Sequence, residues 1–176
     1  VYLGDACLHT WAGLHARALA LAGALAARAP AGNRIAIASE NAPEYLELMF
    51  GAWAAQQAIV PLNYKLHARE MAQIVEDADA ACIFASPTLA PALQEALPAP
   101  WNERVVVVGS PAYAELFNGP AAAVPATDPQ ALAWLFYTSG TTGRSKGAML
   151  SHRNLMAMTL GHLADVEAID EHCSQI

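Results

Sequence analysis

The chain has 176 residues, enough for one domain with a real core, and its formal net charge of −7 argues against nucleic acid or an anionic membrane as partner. Hydrophobic residues make up 55% and charged residues 14%, with a mean hydropathy of +0.26. The most apolar segment, Ala18 to Ala27, lies between Arg17 and Arg28 and spans about 15 Å as a helix, half a bilayer core, which excludes a membrane span there.

The pattern then alternates helix and strand. Leu14 to Ala29 carries Leu14, Ala18, Leu21 and Leu25 at helical spacing, and Asp5 and His9 ahead of it stand where a signal peptide would have a basic region. Arg34 to Ala38 is a short strand. Asn41-Ala42-Pro43-Glu44 reads as a helix start with Asn41 as N-cap, and Leu46, Met49, Phe50 and Trp53 form the expected buried stripe. Ala58 to Pro61 is a second strand, and Ala68 to Ala78 a helix on Met71, Ile74, Val75 and Ala78. Glu76, Asp77 and Asp79 end that helix and read as a solvated acidic cluster. Ala81 to Ala85 and Arg104 to Val108 are further strands around a helix near Leu89 to Leu97, and the run Val105 to Val108 suits a strand covered on both faces. Successive βα units of this length imply a mostly parallel sheet with flanking helices.

After Gly109 the pattern changes. Pro111, Gly119-Pro120, Pro125 and Asp128-Pro129 mark an Ala-rich connection over residues 110–130 without clear periodicity. The organisation is therefore an α/β layer over 1–109, the connection, and a hairpin with its following helix over 131–176. Ala131 to Tyr137 and Gly147 to Leu150 are the two strands of that hairpin, and Ser151 caps a helix carrying Leu155, Met156, Thr159 and Leu163. Cys173 to Ile176 reads as the beginning of another strand. Cys7, Cys82 and Cys173 are odd in number and far apart, and Cys82 sits in an apolar strand, so the default is a buried thiol in a reducing cytoplasm.

Tyr137-Thr138-Ser139-Gly140-Thr141-Thr142-Gly143-Arg144-Ser145-Lys146-Gly147 concentrates glycines, short hydroxyls and two cations in one loop. Glycine allows backbone N–H groups to converge, Thr and Ser add donors, and Lys146 supplies a mobile point charge for phosphate. No Asp or Glu occurs between Asp128 and Asp165, whereas Arg144, Lys146 and Arg153 do. A mononucleotide-kinase phosphate loop requires Gly-Lys followed by a hydroxyl, and here Lys146 lies between Ser145 and Gly147. Gly143-Arg144-Ser145-Lys146-Gly147 also fits the nucleophile elbow of α/β-hydrolases, with Asp165 or Asp170 and His172 in hydrolase order. That reading requires Ser145 between a strand and a helix. His162, Asp165, His172 and Cys173 match no common zinc spacing. His152 and Arg153 are candidates either to touch phosphate or to cap the following helix.

From Leu135 to Leu155 the sequence resembles the phosphate-loop signature of AMP-forming adenylating enzymes: acyl-CoA synthetases, peptide-synthetase adenylation domains and luciferases. The family usually has Pro before the lysine; here it is Ser145. Asn41 to Phe50, Val60 to Leu66 and Glu70 to Ala78 resemble the opening α/β part of acyl-CoA synthetases. Leu62-Asn63-Tyr64-Lys65-Leu66 stands where peptide synthetases tend to carry Asp-Pro-x-Tyr-Pro, which favours an acid–CoA ligase. The resemblance implies the N-terminal part of an AMP-binding domain, truncated and inactive alone. The adenine, ribose and catalytic-lysine sites would lie outside it, leaving no catalytic residue assigned within the chain. It further implies ATP, Mg and CoA as cofactors and a small-molecule carboxylic acid as substrate. Thr138 would lie near Mg and the phosphates, Ser139, Gly140, Thr141, Thr142 and Gly143 around the β- and γ-phosphates, and Lys146 would neutralise them. An adenylation domain of the peptide-synthetase type, a non-catalytic fragment, and a hydrolase using Ser145 remain the alternatives, and the oligomeric state stays open.

Overall fold

The computed structural model describes residues 1–3, 6–124, 126–138 and 145–166. A two-stranded ribbon of β1 (Tyr2–Leu3) and β2 (Ala6–Cys7) precedes α1 (Trp11–Arg28). The first α/β units are β3 (Arg34–Ala38), α2 (Pro43–Ala54), β4 (Ala58–Leu62) and α3 (Ala68–Asp77). They continue with β5 (Cys82–Ala85), α4 (Ala90–Ala96) and β6 (Val105–Val107). A short α5 (Pro111–Ala114), β7 (Leu132–Thr138), β8 (Lys146–Ser151) and α6 (His152–Asp165) complete the described elements. The main sheet has the order β6-β5-β3-β4-β7-β8, with every neighbouring pair parallel except the β7–β8 hairpin.

Strand alternation sorts the core into two layers. Ile35, Ile37, Ile59 and Phe84 pack with Leu21, Leu25, Leu48 and Ala52 of α1 and α2. Ala36, Ala38, Val60 and Ile83 pack with Met71, Ile74, Val75 and Leu93 of α3 and α4 on the opposite face. Both faces of the parallel strands are thus covered, which is why they read as continuous apolar runs.

Several expectations need correction. The helix after β3 is capped by Ala42, not Asn41, and has no side-chain cap hydrogen bond. Pro43 explains this: it disfavours helical geometry at the residue before it, so Ala42 stays extended and Pro43 takes the first helical position, where its missing N–H costs nothing. The buried stripe of α2 is Glu47, Leu48, Gly51 and Ala52, while Phe50 is 38% exposed and Leu46, Met49 and Trp53 are half-buried. The selected face is the one that approaches α1 most closely: a Cβ on Gly51 would lie 2.7 Å from Cδ2 of Leu21. The Val run forms the sheet edge, contacted from both layers yet only half-buried over Val105–Val107. Within 110–130, Ser110 caps α5 and Tyr113 and Leu116 are buried, so this stretch contributes to the core.

Other readings match. The α1 stripe is buried, with the helix starting earlier because Thr10 accepts a hydrogen bond from the Gly13 amide at 3.1 Å. The stripe Met71, Ile74, Val75, Ala78 is buried, Ser151 caps α6, and Cys82 is buried, its thiol pushed above the usual range by burial. Among the described residues no helix is long and apolar enough to cross a membrane. The strand expected at Cys173 to Ile176 lies outside the described residues.

One polar cluster sits inside the α1–α2 layer. Glu47, 1% exposed, accepts from both Arg17 Nε and Nη2, the latter at 3.0 Å. It also accepts from the Tyr113 hydroxyl at 3.0 Å and faces His9 Nε2 at 3.1 Å. The Arg17 guanidinium stacks 3.9 Å over the Phe117 ring. The Glu47 hydrogen bond raises the Arg17 pKa against its partial desolvation; burial first, then Glu47, raises that of Tyr113.

Candidate functional site

The phosphate-loop candidate spans a hairpin whose last register pair is Thr138 with Lys146. Directly opposed residues of an antiparallel pair share a face, so Thr138 and Lys146 stand together at the mouth of the loop, on the face of Phe136 and Trp134. Both are exposed. A hydroxyl donor and an ammonium so placed can contact one oxyanion. Ser139, Gly140, Thr141, Thr142 and Gly143, with Arg144, lie outside the described residues.

Ser145 leads directly into β8, which pairs antiparallel with β7. A nucleophile elbow turns from a strand into a helix. The hydrolase reading therefore fails on topology, and its partners Asp170 and His172 lie outside the described residues. Among the described residues no group of three or more His, Cys, Asp or Glu could hold a metal ion; His172 and Cys173 again fall outside.

His152 and Arg153 lie too far away to join the site. β8 is six residues long, so its ends are about 17 Å apart, and these two residues begin α6 at the end opposite Lys146. The Arg153 amide donates to the Pro129 carbonyl at 2.8 Å. The His152 ring lies edge-on to Trp53 at 6.1 Å, and burial holds its pKa below the ordinary histidine value. Of the two roles the sequence left open, phosphate contact does not fit, because a strand intervenes.

The opposite face of the hairpin is acidic. Gln73, Ile74, Glu76, Asp77, Tyr137 and Ser145 line a cleft of about 270 Å³. Asp77, expected to be merely solvated, accepts a hydrogen bond from the Tyr137 hydroxyl at 2.5 Å. Burial and then this bond raise the Tyr137 pKa. A phosphate is repelled by Glu76 and Asp77 and attracted by Lys146, so the hairpin presents one face suited to an anion. The pair Asp77 and Tyr137, like the Glu47 cluster, left no signal in the sequence, because the partners are far apart along the chain.

A family model described as AMP-binding enzyme matches residues 1–174. The chain belongs to the AMP-binding enzyme family. Feruloyl-CoA synthase from an Amycolatopsis species is 33% identical over 156 residues, covering 83% of this chain and 29% of the relative. A component of the linear gramicidin synthase from Brevibacillus parabrevis is 32% identical over 148 residues, covering 84% of this chain and 2% of that protein. Among solved structures, ATP-bound MatB from Rhodopseudomonas palustris superposes with a TM-score of 0.72 at 30% identity, covering 88% of this chain and 32% of MatB. The fatty acyl CoA synthetase of Mycobacterium tuberculosis gives 0.69 at 28% identity, covering 82% and 29%. The fold is thus the acyl-CoA synthetase fold, and the chain spans about 29% of the length of the feruloyl-CoA synthase and of the Mycobacterium tuberculosis synthetase.

Proposed function

We propose that this AMP-binding chain carries the ATP-phosphate site of an AMP-forming carboxylic acid–CoA ligase, which joins an acid to AMP with release of pyrophosphate and then passes the acyl group to the thiol of CoA. The observation that carries the reading is the pairing of Thr138 with Lys146 across the mouth of the loop. Charge accumulates on the departing pyrophosphate, and donors already aimed at it stabilise that charge without reorganisation. Lys146 offsets the charge, the Thr138 hydroxyl donates to a phosphate oxygen, and by resemblance to the phosphate-loop signature Ser139, Gly140, Thr141, Thr142 and Gly143 would wrap the β- and γ-phosphates. Thr138 would stand beside a magnesium ion, which would supply positive charge to offset that of the phosphates. The Thr138 hydroxyl is one neutral oxygen, which suits a magnesium ion held mainly by phosphate and water. The segment Leu62 to Leu66 supports the CoA-ligase reading over the peptide-synthetase one.

The test is an NMR titration of the 176-residue protein with pyrophosphate. Binding in the region of millimolar, about −4 kcal/mol, is expected for so exposed a site. Amide shifts should centre on Thr138, Lys146 and the residues between, and disappear in Lys146→Ala. Shifts centred on Arg17 or Arg69, or surviving in that variant, would overturn the assignment.

A further inference from the structure

β7 is joined to β4 by a single register pair, Ile59 with Trp134. Among the described residues no further register pair joins the hairpin to β4 beyond Trp134, and this is the half that ends in Thr138 and Lys146. Leu135 anchors it by burial in the α3–α4 layer. Among the described residues, the only side-chain hydrogen bond joining residues 135–138 or 146–150 to the rest of the molecule is Tyr137 to Asp77 of α3.

The path of the Tyr137 side chain is built into the hairpin. Tyr137 pairs with Gly147, and a Cβ at Gly147 would stand 3.1 Å from Cζ of Tyr137 and 2.9 Å from Cδ1 of Leu135. The bare backbone of Gly147 lets the ring lie across β8, with its hydroxyl reaching α3. Tyr137 immediately precedes Thr138, and Gly147 immediately follows Lys146. The ring and its hydrogen bond therefore hold both ends of the loop at its neck.

We propose that Asp77 is a positioning residue for the phosphate loop, acting through the Tyr137 hydroxyl to hold Thr138 and Lys146 in register at the α3 surface. The proposal rests on the phosphate-site reading. The sign of the effect separates it from a bland surface role. A carboxylate with no positioning role only repels phosphate, so deleting it tightens anion binding. A positioning carboxylate weakens binding when deleted, and its amide, which still accepts from the phenol, restores it.

The experiment compares Asp77→Ala, Asp77→Asn and Tyr137→Phe with the unsubstituted protein in two measurements. In the pyrophosphate titration, Asp77→Ala and Tyr137→Phe should bind about three- to tenfold more weakly, the range expected for one hydrogen bond. Asp77→Asn should bind at least as well as the unsubstituted protein. Tighter binding by Asp77→Ala overturns the proposal. In ligand-free hydrogen exchange, the amides of residues 135–138 and 146–149 should exchange faster in Asp77→Ala and Tyr137→Phe but not in Asp77→Asn, with β3 and β4 unaffected. Unchanged exchange overturns the proposal whether or not pyrophosphate binds. If the unsubstituted protein ignores pyrophosphate while the exchange pattern holds, the phosphate assignment fails and the Asp77 tie stands.

Discussion

Replacing Glu47 by Ala tests whether a buried carboxylate holds the α1–α2 layer together. The substitution removes the acceptor of the Tyr113 hydroxyl, which belongs to a residue only 4% exposed. An orphaned buried hydroxyl costs about 1–3 kcal/mol. Arg17 also loses both bonds to Glu47, but its side chain is 37% exposed and can turn to water, so its share is smaller. A loss of about 3 kcal/mol follows, at the low end of the range for removing one partner of a buried pair. For a chain of this size that lowers Tm by about 6–12 °C. Glu47→Gln keeps an acceptor for Tyr113 and should cost about 1 kcal/mol. In Glu47→Ala/Tyr113→Phe no hydroxyl is left unsatisfied, so the double variant should be more stable than the sum of its parts by about 1 kcal/mol or more. Urea unfolding at pH 7, with an unchanged m value, reads these three variants, Tyr113→Phe alone and the unsubstituted protein. Glu47→Ala within about 0.5 kcal/mol of the unsubstituted protein, or strict additivity in the double variant, would refute the reasoning.

Two helical glycines should respond oppositely to alanine. A Cβ on Gly23 would lie 2.2 Å from the Pro120 carbonyl oxygen, so Gly23→Ala must displace backbone and should destabilise by about 1–3 kcal/mol. Gly161 has nothing within 4 Å of its added Cβ, and Gly161→Ala should gain up to about 1 kcal/mol, both read by thermal unfolding. At alkaline pH, Tyr45, pushed up to about 12 by burial, keeps its proton in the folded state beyond the range where the unfolded chain loses it. Tyr113 and Tyr137 are raised as well. Their stabilisation is complete below about pH 10 and falls as pH rises through the folded values. Tyr45→Phe should flatten part of that loss in denaturation midpoints measured across the range. His152 shifts the other way: its contribution is present above about pH 6.5 and declines as pH falls towards its lowered value, and His152→Phe should remove that acid-side slope.

Elements whose signals are local were legible in the sequence. The stripe of α3, the Ser151 cap of α6, the apolar strands of the parallel sheet and the two arms around the glycine loop all follow from backbone periodicity and side chains a few residues apart. The loop's composition also pointed to phosphate before any fold was known. Long-range packing settled the rest. The helix α2 carries apolar residues on more than one side, so only the close approach of Gly51 to Leu21 selected its buried face. Nothing in a run of four valines distinguishes a central strand from an edge, because that depends on where the next strand goes. His152 and Arg153 follow the loop closely in sequence, but an intervening extended strand carries them to the far end of the hairpin. Asp77 with Tyr137, and Glu47 with Arg17 and Tyr113, are joined across 30 to 66 residues. Periodicity records which side of an element meets the core, whereas a hydrogen bond depends on the identity and distance of one partner, which only the folded chain brings into reach.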